Sequence, residues 1–185
     1  MKAKVLSVLV LVLAVGCTQP DPTKLPPINV YPMLDARQDK SLPVQQIYGV
    51  KGPLVAYWPM SEGFVIGELQ WSKGANPRFI DAAKANPVTV EALAAGDLSV
   101  LSGNEKYCPR TLFTAFRRFD QEHKGLALFS INITLEGWIY DCAAKRVTWN
   151  GKQDHWGLQS LKGHGRNTAL ELVQQIPRAA VSGGN

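Results

Sequence analysis

Between residues 127 and 139 the chain alternates. Ala127, Phe129, Ile131, Ile133, Leu135 and Ile139 fall on one side, and Ser130, Asn132, Thr134 and Glu136 on the other. A period of two predicts a half-buried strand, because successive side chains leave opposite faces of a sheet. Trp138 falls in the polar set. Ala143-Ala144-Lys145 suits a turn, after which residues 146–149 return as an antiparallel partner ahead of Gly151, with Trp149 facing Trp138. A different pattern precedes this strand. Leu112, Phe113, Phe116 and Phe119 recur at helical spacing, Pro109 suits a first turn and Gly125 a C-cap, so residues 109–124 are expected to form a helix. Asn86-Pro87 and Gly96 bracket a second helix. The capping-box pattern Thr168-Ala-Leu-Glu171, followed by Leu172, Val173 and Ile176 and stopped by Pro177, predicts a third over 168–176. Residues 28–34 read as a strand that Pro32 confines to an edge or a bulge. Residues 35–40 read as a charged loop, and 50–65, broken by Pro53, Pro59 and Gly63, as short strands and turns. Helices packed on a mostly antiparallel or mixed sheet make the expected class α+β.

The first residues follow another logic. Lys2 and Lys4 precede an apolar run over 5–15, and Ala14-Val15-Gly16 leads into Cys17. A charged, an apolar and a small-residue region in that order mark a cleavable secretory signal. The run is too short for a comfortable membrane span, which needs roughly 20 apolar residues. A Cys directly after the small residue resembles the lipobox of bacterial lipoproteins, with Ala14 where that family most often has Leu. The resemblance implies a signal peptide over 1–16 and a fatty-acylated, palmitate-bearing Cys17 as the mature terminus. A residue other than Asp after that Cys, here Thr18, implies sorting to the outer membrane. Residues 17–27 then read as the lipidated Cys and a Pro-rich tether, because Pro-rich linkers stay extended. A single globular domain is expected over 28–180 and a frayed tail over 181–185.

Composition supports one ordinary domain: 45% of the 185 residues are hydrophobic and 19% charged, with no repeat. Net charge is +5, but the basic residues are scattered, which argues against a nucleic-acid interface. Export makes the cysteines informative. With Cys17 lipidated, Cys108 and Cys142 remain in a compartment that permits disulfides, and a bridge between them is expected. The helix over 109–124 stands against that bridge. It would cover about 24 Å, while a straight strand from Gly125 to Cys142 would run back about 56 Å. A bridge needs Cα atoms within about 7 Å. On this reading the bridge requires a sharp bend near Gly137.

Catalytic chemistry has little to stand on. His123, His155 and His164 are present and Asp154 adjoins His155, but no HExxH or other compact ligand spacing occurs. The segment between His155 and His164 reads as a loop. No GxSxG elbow or GxxxxGK phosphate loop is found. Asp35, Arg37 and Asp39 read as a solvated loop. The expectation is a protein without catalytic residues, metal or cofactor. A softer clue is the five tryptophans: Trp138, Trp149 and Trp156 are candidates for a partner- or glycan-binding surface, although a covering layer would make them core.

Residues 126–151, LALFSINITLEGWIYDCAAKRVTWNG, pair a long strand with an Asp, a small-residue turn and a strand ending in Trp-x-Gly. This resembles the curli-channel-like (CsgG/PelC-type) envelope assembly lipoproteins, with INVYPMLD over 28–35 as the matching first strand. Ala143-Ala144-Lys145 replaces the customary Thr-Gly turn, and Cys142 lies outside the pattern. The resemblance implies an αβ sandwich, outer-membrane residence facing the periplasm, and a role as scaffold or secretion accessory. The function expected is therefore a lipid-anchored accessory of an envelope or secretion complex. Its partners would be the membrane, through the lipid, and envelope proteins or cell-wall polymer. The alternative is a periplasmic glycan- or peptidoglycan-binding module.

Overall fold

The computed structural model describes residues 21–41, 56–101, 103–123, 129–158 and 160–182. Cys17 and most of the signal and tether therefore lie outside the described residues, as does Gly125.

The strands are β1 (Pro27–Val30), β2 (Leu34–Asp35), β3 (Asn76–Phe79), β4 (Arg110–His123), β5 (Phe129–Asp141) and β6 (Arg146–Gly157). They form one sheet in the order β3-β1-β4-β5-β6, with β2 also on β4. β1 runs parallel to β3 and β4, β2 runs parallel to β4, and β4-β5-β6 is an antiparallel meander. The α+β class is as expected, and the sheet is mixed. Pro32 does mark an interruption: β1 and β2 are two pieces of one path along β4. Tyr31 N–H donates to the Leu112 carbonyl at 2.9 Å and Ala36 N–H to that of Phe116 at 3.0 Å, with Pro32 between them.

The expected helix over 109–124 is instead β4. Thr111, Leu112, Phe113, Thr114, Ala115 and Phe116 are all buried, so the strand has core on both sides and shows no polar–apolar alternation. Its β-branched and aromatic content suits a strand. Between Phe116 and Arg118 the register shifts by a bulge, and Arg117 at the bulge donates to Glu136 at 2.6 Å.

The bridge objection falls with the helix. β4 pairs with β5 so that Arg110 lies opposite Asp141, which sets Cys108 and Cys142 side by side just beyond the pair. They are joined, with Cα atoms 5.5 Å apart, and β5 runs through Gly137 as a strand. Directly after the bridge, at the same end of the strand pair, Asp141 Oδ1 accepts from Ala144 N–H at 2.9 Å and Lys145 adopts φ 53°, so Ala143-Ala144-Lys145 turns the chain as expected. The returning strand β6 then continues well past Trp149 to Gly157.

The α-helices assigned among the described residues are α1 (Gly63–Gly67), continued by a π turn over Glu68–Ser72, α2 (Val90–Ala95), α3 (Leu161–Gln174) and α4 (Arg178–Ser182). Strands and turns were expected up to Val65, and α1 replaces part of them. Thr89, not Asn86, caps α2 by accepting from Ala92 N–H at 3.1 Å, while Gly96 ends it at φ 71°. Ser160 caps α3, accepting from Gly163 N–H at 3.2 Å. Thr168 is therefore mid-helix, and its buried hydroxyl donates to the His164 carbonyl at 2.7 Å.

One sheet face packs against α1, α3 and α4, through Ile28, Leu112, Phe116, Ile133, Leu135 and Ile139 against Val65, Leu69, Leu172 and Val181. The other packs Tyr31, Phe113, Trp138 and Tyr140 against Val88, Leu93, Leu101 and Tyr107 of the segment carrying α2. Two expected boundaries shift. Pro27 already pairs with Asn76, so the fold begins inside the expected tether, and buried Val181 lies in what was expected to be the frayed tail.

Candidate functional site

The described surface offers one groove with exposed aromatic side chains, formed where α1 and its π turn lie beside α3. Along the sequence GFVIGELQWS, Val65 and Leu69 are four apart and point into the core, which turns Phe64, Glu68 and Trp71 outward. Gly67 has a local reason: a Cβ there would meet the Trp71 ring at 2.5 Å, so the absence of a side chain lets the indole lie against the helix. Phe64 is 68% exposed and Trp71 46%, values that stand out for residues of this size.

The groove between them encloses about 630 Å³, with Leu170 of α3 on its wall. Its rim is charged. Arg166 places its guanidinium 5.2 Å from the centre of the Phe64 ring, a cation–π contact, and Lys162 lies 3.8 Å from Glu62. At the Trp71 end, Lys73 Nζ donates to the Gln174 carbonyl at 2.7 Å and Arg178 Nε to that of Ser72 at 2.9 Å. These contacts tie the π turn and the residue after it to the end of α3 and the start of α4. An apolar floor with basic side chains around it can hold an amphipathic surface or ligand; it contains no nucleophile paired with a base.

The residues expected from the sequence are placed elsewhere. Trp138 is 1% exposed, in the core against Tyr31, Phe113 and the α2 segment; it is not a surface residue. Trp149 is half-buried on the opposite face, its ring over the cross-strand pair Gly137 and Gly151, where Cβ atoms would meet it at 3.2 and 2.5 Å. Trp156 is 64% exposed, on the side of the sheet that Trp138 faces but far along β6. The three form no common platform: a covering layer takes Trp138, and α3 takes Trp149.

His155 and His164 do come together, although a loop was expected between them. β6 carries one and the first turns of α3 the other, and the ring centres are 5.0 Å apart. His155 Nδ1 lies 3.4 Å from Glu171 Oε2, which also accepts from Gln153 Nε2 at 2.8 Å. His164 is fully buried beside Gly157, whose missing Cβ would sit 2.8 Å from the imidazole Cε1. The cluster pins α3 to β6. Among the described residues no group of three or more His, Cys, Asp and Glu is arranged to hold a metal ion.

Asp35 and Arg37 are not a solvated loop. Arg37 is buried, donates from Nε and Nη2 to the two Asp35 oxygens at 2.8 Å each, and stacks over Phe116. Burial raises the Asp35 pKa, but the bonds and charge of Arg37 outweigh it, leaving the carboxyl below its ordinary range. The nearby Arg117–Glu136 and Arg118–Asp120 pairs, and Arg110–Asp141 at the start of β4, are likewise matched, cation to carboxylate.

The architecture defines a single α+β domain with a mixed sheet covered on both faces by helical and irregular layers. No protein-family profile matches this chain, and no curated protein sequence does. Solved structures similar to it include a PelC dodecamer from Paraburkholderia phytofirmans, at 10% identity over 86% of this chain and 89% of that one, with a TM-score of 0.47. The hypothetical protein CT253 from Chlamydia trachomatis matches at 10% identity over 86% and 99%, with a TM-score of 0.45. Lipoprotein GNA1162 from Neisseria meningitidis matches at 14% identity over 82% and 99%, with a TM-score of 0.34. Likenesses this distant assign neither a family nor an activity.

Proposed function

We propose that this chain is a lipid-anchored lipoprotein of the bacterial envelope, held at the outer membrane facing the periplasm, where it acts as a structural or assembly accessory of an envelope or secretion complex. The observation that carries the reading is the Cys108–Cys142 bridge between the adjoining ends of β4 and β5. Such bonds persist in exported proteins and are rare in a reducing cytosol. Export is also what the charged, apolar and small-residue regions ahead of Cys17 encode. No helix among the described residues is long and apolar enough to cross a membrane. In this reading the lipid on Cys17 provides the attachment. The domain takes no cofactor and performs no reaction; it presents surfaces to neighbouring envelope proteins, and acylation raises its local concentration so that weak contacts suffice.

Mass spectrometry of the protein purified from its native membrane tests the anchor: a mature chain starting at acylated Cys17 is expected. Crosslinking in intact cells tests the accessory role by naming envelope neighbours. A chain that retains Met1 and carries no fatty acid removes the lipoprotein reading, and retention on purified cell wall without protein neighbours replaces the accessory role with glycan binding.

A further inference from the structure

We infer that the groove between α1 and α3 is a lipid-facing surface, with Phe64 and Trp71 seated at the interface of an anionic phospholipid bilayer and Lys73, Lys162, Arg166 and Arg178 meeting its headgroups. The inference rests on the lipoprotein reading and adds which face of the domain the anchor turns toward the membrane.

Chain entry supplies the first argument. The Pro26 carbonyl accepts from Asn76 N–H at 2.8 Å, so the start of β1 lies beside the start of β3. β3 follows directly from the π turn that carries Trp71, and Ala75 N–H bonds back to the Leu69 carbonyl at 2.9 Å. The polypeptide coming from Cys17 therefore enters the fold next to the Trp71 end of the groove. Eight residues lie between Cys17 and Pro26, and the nine Cα-to-Cα steps give a reach of at most about 32 Å. A bilayer holding the acyl chains is within that distance of this end of the domain.

Side-chain chemistry supplies the second. Large aromatic rings exposed beside long basic side chains are the pattern of interfacial anchoring, since the rings enter the headgroup boundary while the cations stay with phosphate. The lining itself balances Lys162 and Arg166 against Glu62 and Glu68, and Lys73 and Arg178, bonded to the Gln174 and Ser72 carbonyls at the Trp71 end, add two further cations beside it. Near an anionic surface each such cation strengthens attachment about fivefold. Trp156, the other strongly exposed tryptophan, sits on β6 on the face of the sheet away from α3.

The test uses the full acylated protein in vesicles containing phosphatidylglycerol and lipids brominated on their acyl chains, which quench only tryptophans at the membrane boundary. Trp71→Phe isolates the Trp71 emission by difference, and Trp156→Phe is the control. Quenching of the Trp71 component by half or more, with the Trp156 component unchanged, is the expected result. Lys162→Glu with Arg166→Glu should remove most of that quenching while the acyl chains keep the protein on the vesicles and circular dichroism stays unchanged. An acylated, vesicle-bound protein whose Trp71 emission is indifferent to bromine overturns the inference and leaves the groove to a protein or sugar. Should mass spectrometry find no acylation, the anchoring reading fails separately; the same chain added to the vesicles still decides this one by whether Trp71 is quenched.

Discussion

Replacing Cys108 and Cys142 together by alanine tests whether the β4–β5 meander depends on its covalent closure. The two cysteines are 34 residues apart in sequence. Holding a loop of that length closed removes unfolded-chain entropy worth about 4 kcal/mol at 25 °C. Little is lost on the folded side, because Arg110 still pairs with Asp141 at 2.9 Å and the ladder from Thr111–Tyr140 to Phe116–Leu135 does not involve sulfur. Total stabilities of single domains are about 5–15 kcal/mol, so the change is a large share of the whole. With a urea slope of about 2 kcal/mol per molar, the unfolding midpoint should fall by about 2 M. Urea titration followed by far-ultraviolet circular dichroism, on the oxidised protein, the same protein with reductant and the double variant, measures it. The reduced protein and the variant should coincide. Midpoints for all three within about 0.5 M would refute the reasoning, showing that the unfolded chain gains no freedom when the link is cut.

Three further outcomes follow from the packing. Gly165 lies in α3, where Gly→Ala usually stabilises by about 1 kcal/mol, but a Cβ there would sit 1.8 Å from the buried Trp58 ring; Gly165→Ala should therefore destabilise by about 1–3 kcal/mol, and a raised thermal midpoint would contradict the contact. Ser160→Ala removes the hydroxyl that accepts from Gly163 N–H at the start of α3 and should cost about 1 kcal/mol in the same titration; no change would mean the α3 start is held by other contacts. Asp35 has a folded pKa below its ordinary 3.8, so its contribution is complete above that value and fades as pH falls through the lower folded value; Asp35→Asn should flatten the acid side of the stability–pH curve there and leave neutral-to-basic slopes alone.

Most of the fold was legible where a strand has one polar face or a helix has a clear stop. β5 showed its period of two, the turn after Asp141 was visible in three small or flexible residues, and Gly96 and Pro177 ended helices where expected. β4 was misread for a physical reason. Leu112 and Phe116 are four apart, an even spacing that places them on one side of a strand as well as of a helix. The bulge at Arg117 then inserts one residue, so Phe119 returns to that same side three positions later and completes a false helical stripe. Phe113 belongs to the opposite core, which only the three-dimensional structure reveals.

The same error explains the apparent conflict over the cysteines. A helix and a strand advance by about 1.5 and 3.3 Å per residue, so a helix over 109–124 and the strand after it could not bring their far ends together without a bend. Two antiparallel strands of similar length do so automatically, and the bridge follows from the pairing of Arg110 with Asp141. The aromatic groove is not among the surfaces expected from the sequence, because the tryptophans of the long strands, where layers cover the sheet, dominate the aromatic pattern. Its signal lay in GFVIGELQWS: Val65 and Leu69 four apart set an inward stripe, which leaves Phe64 and Trp71, seven apart, together on the outward side of two helical turns. A large ring on the side opposite a short apolar stripe has no core of its own to enter, and that makes such a ring a stronger pointer to an interaction surface than a tryptophan on a central strand.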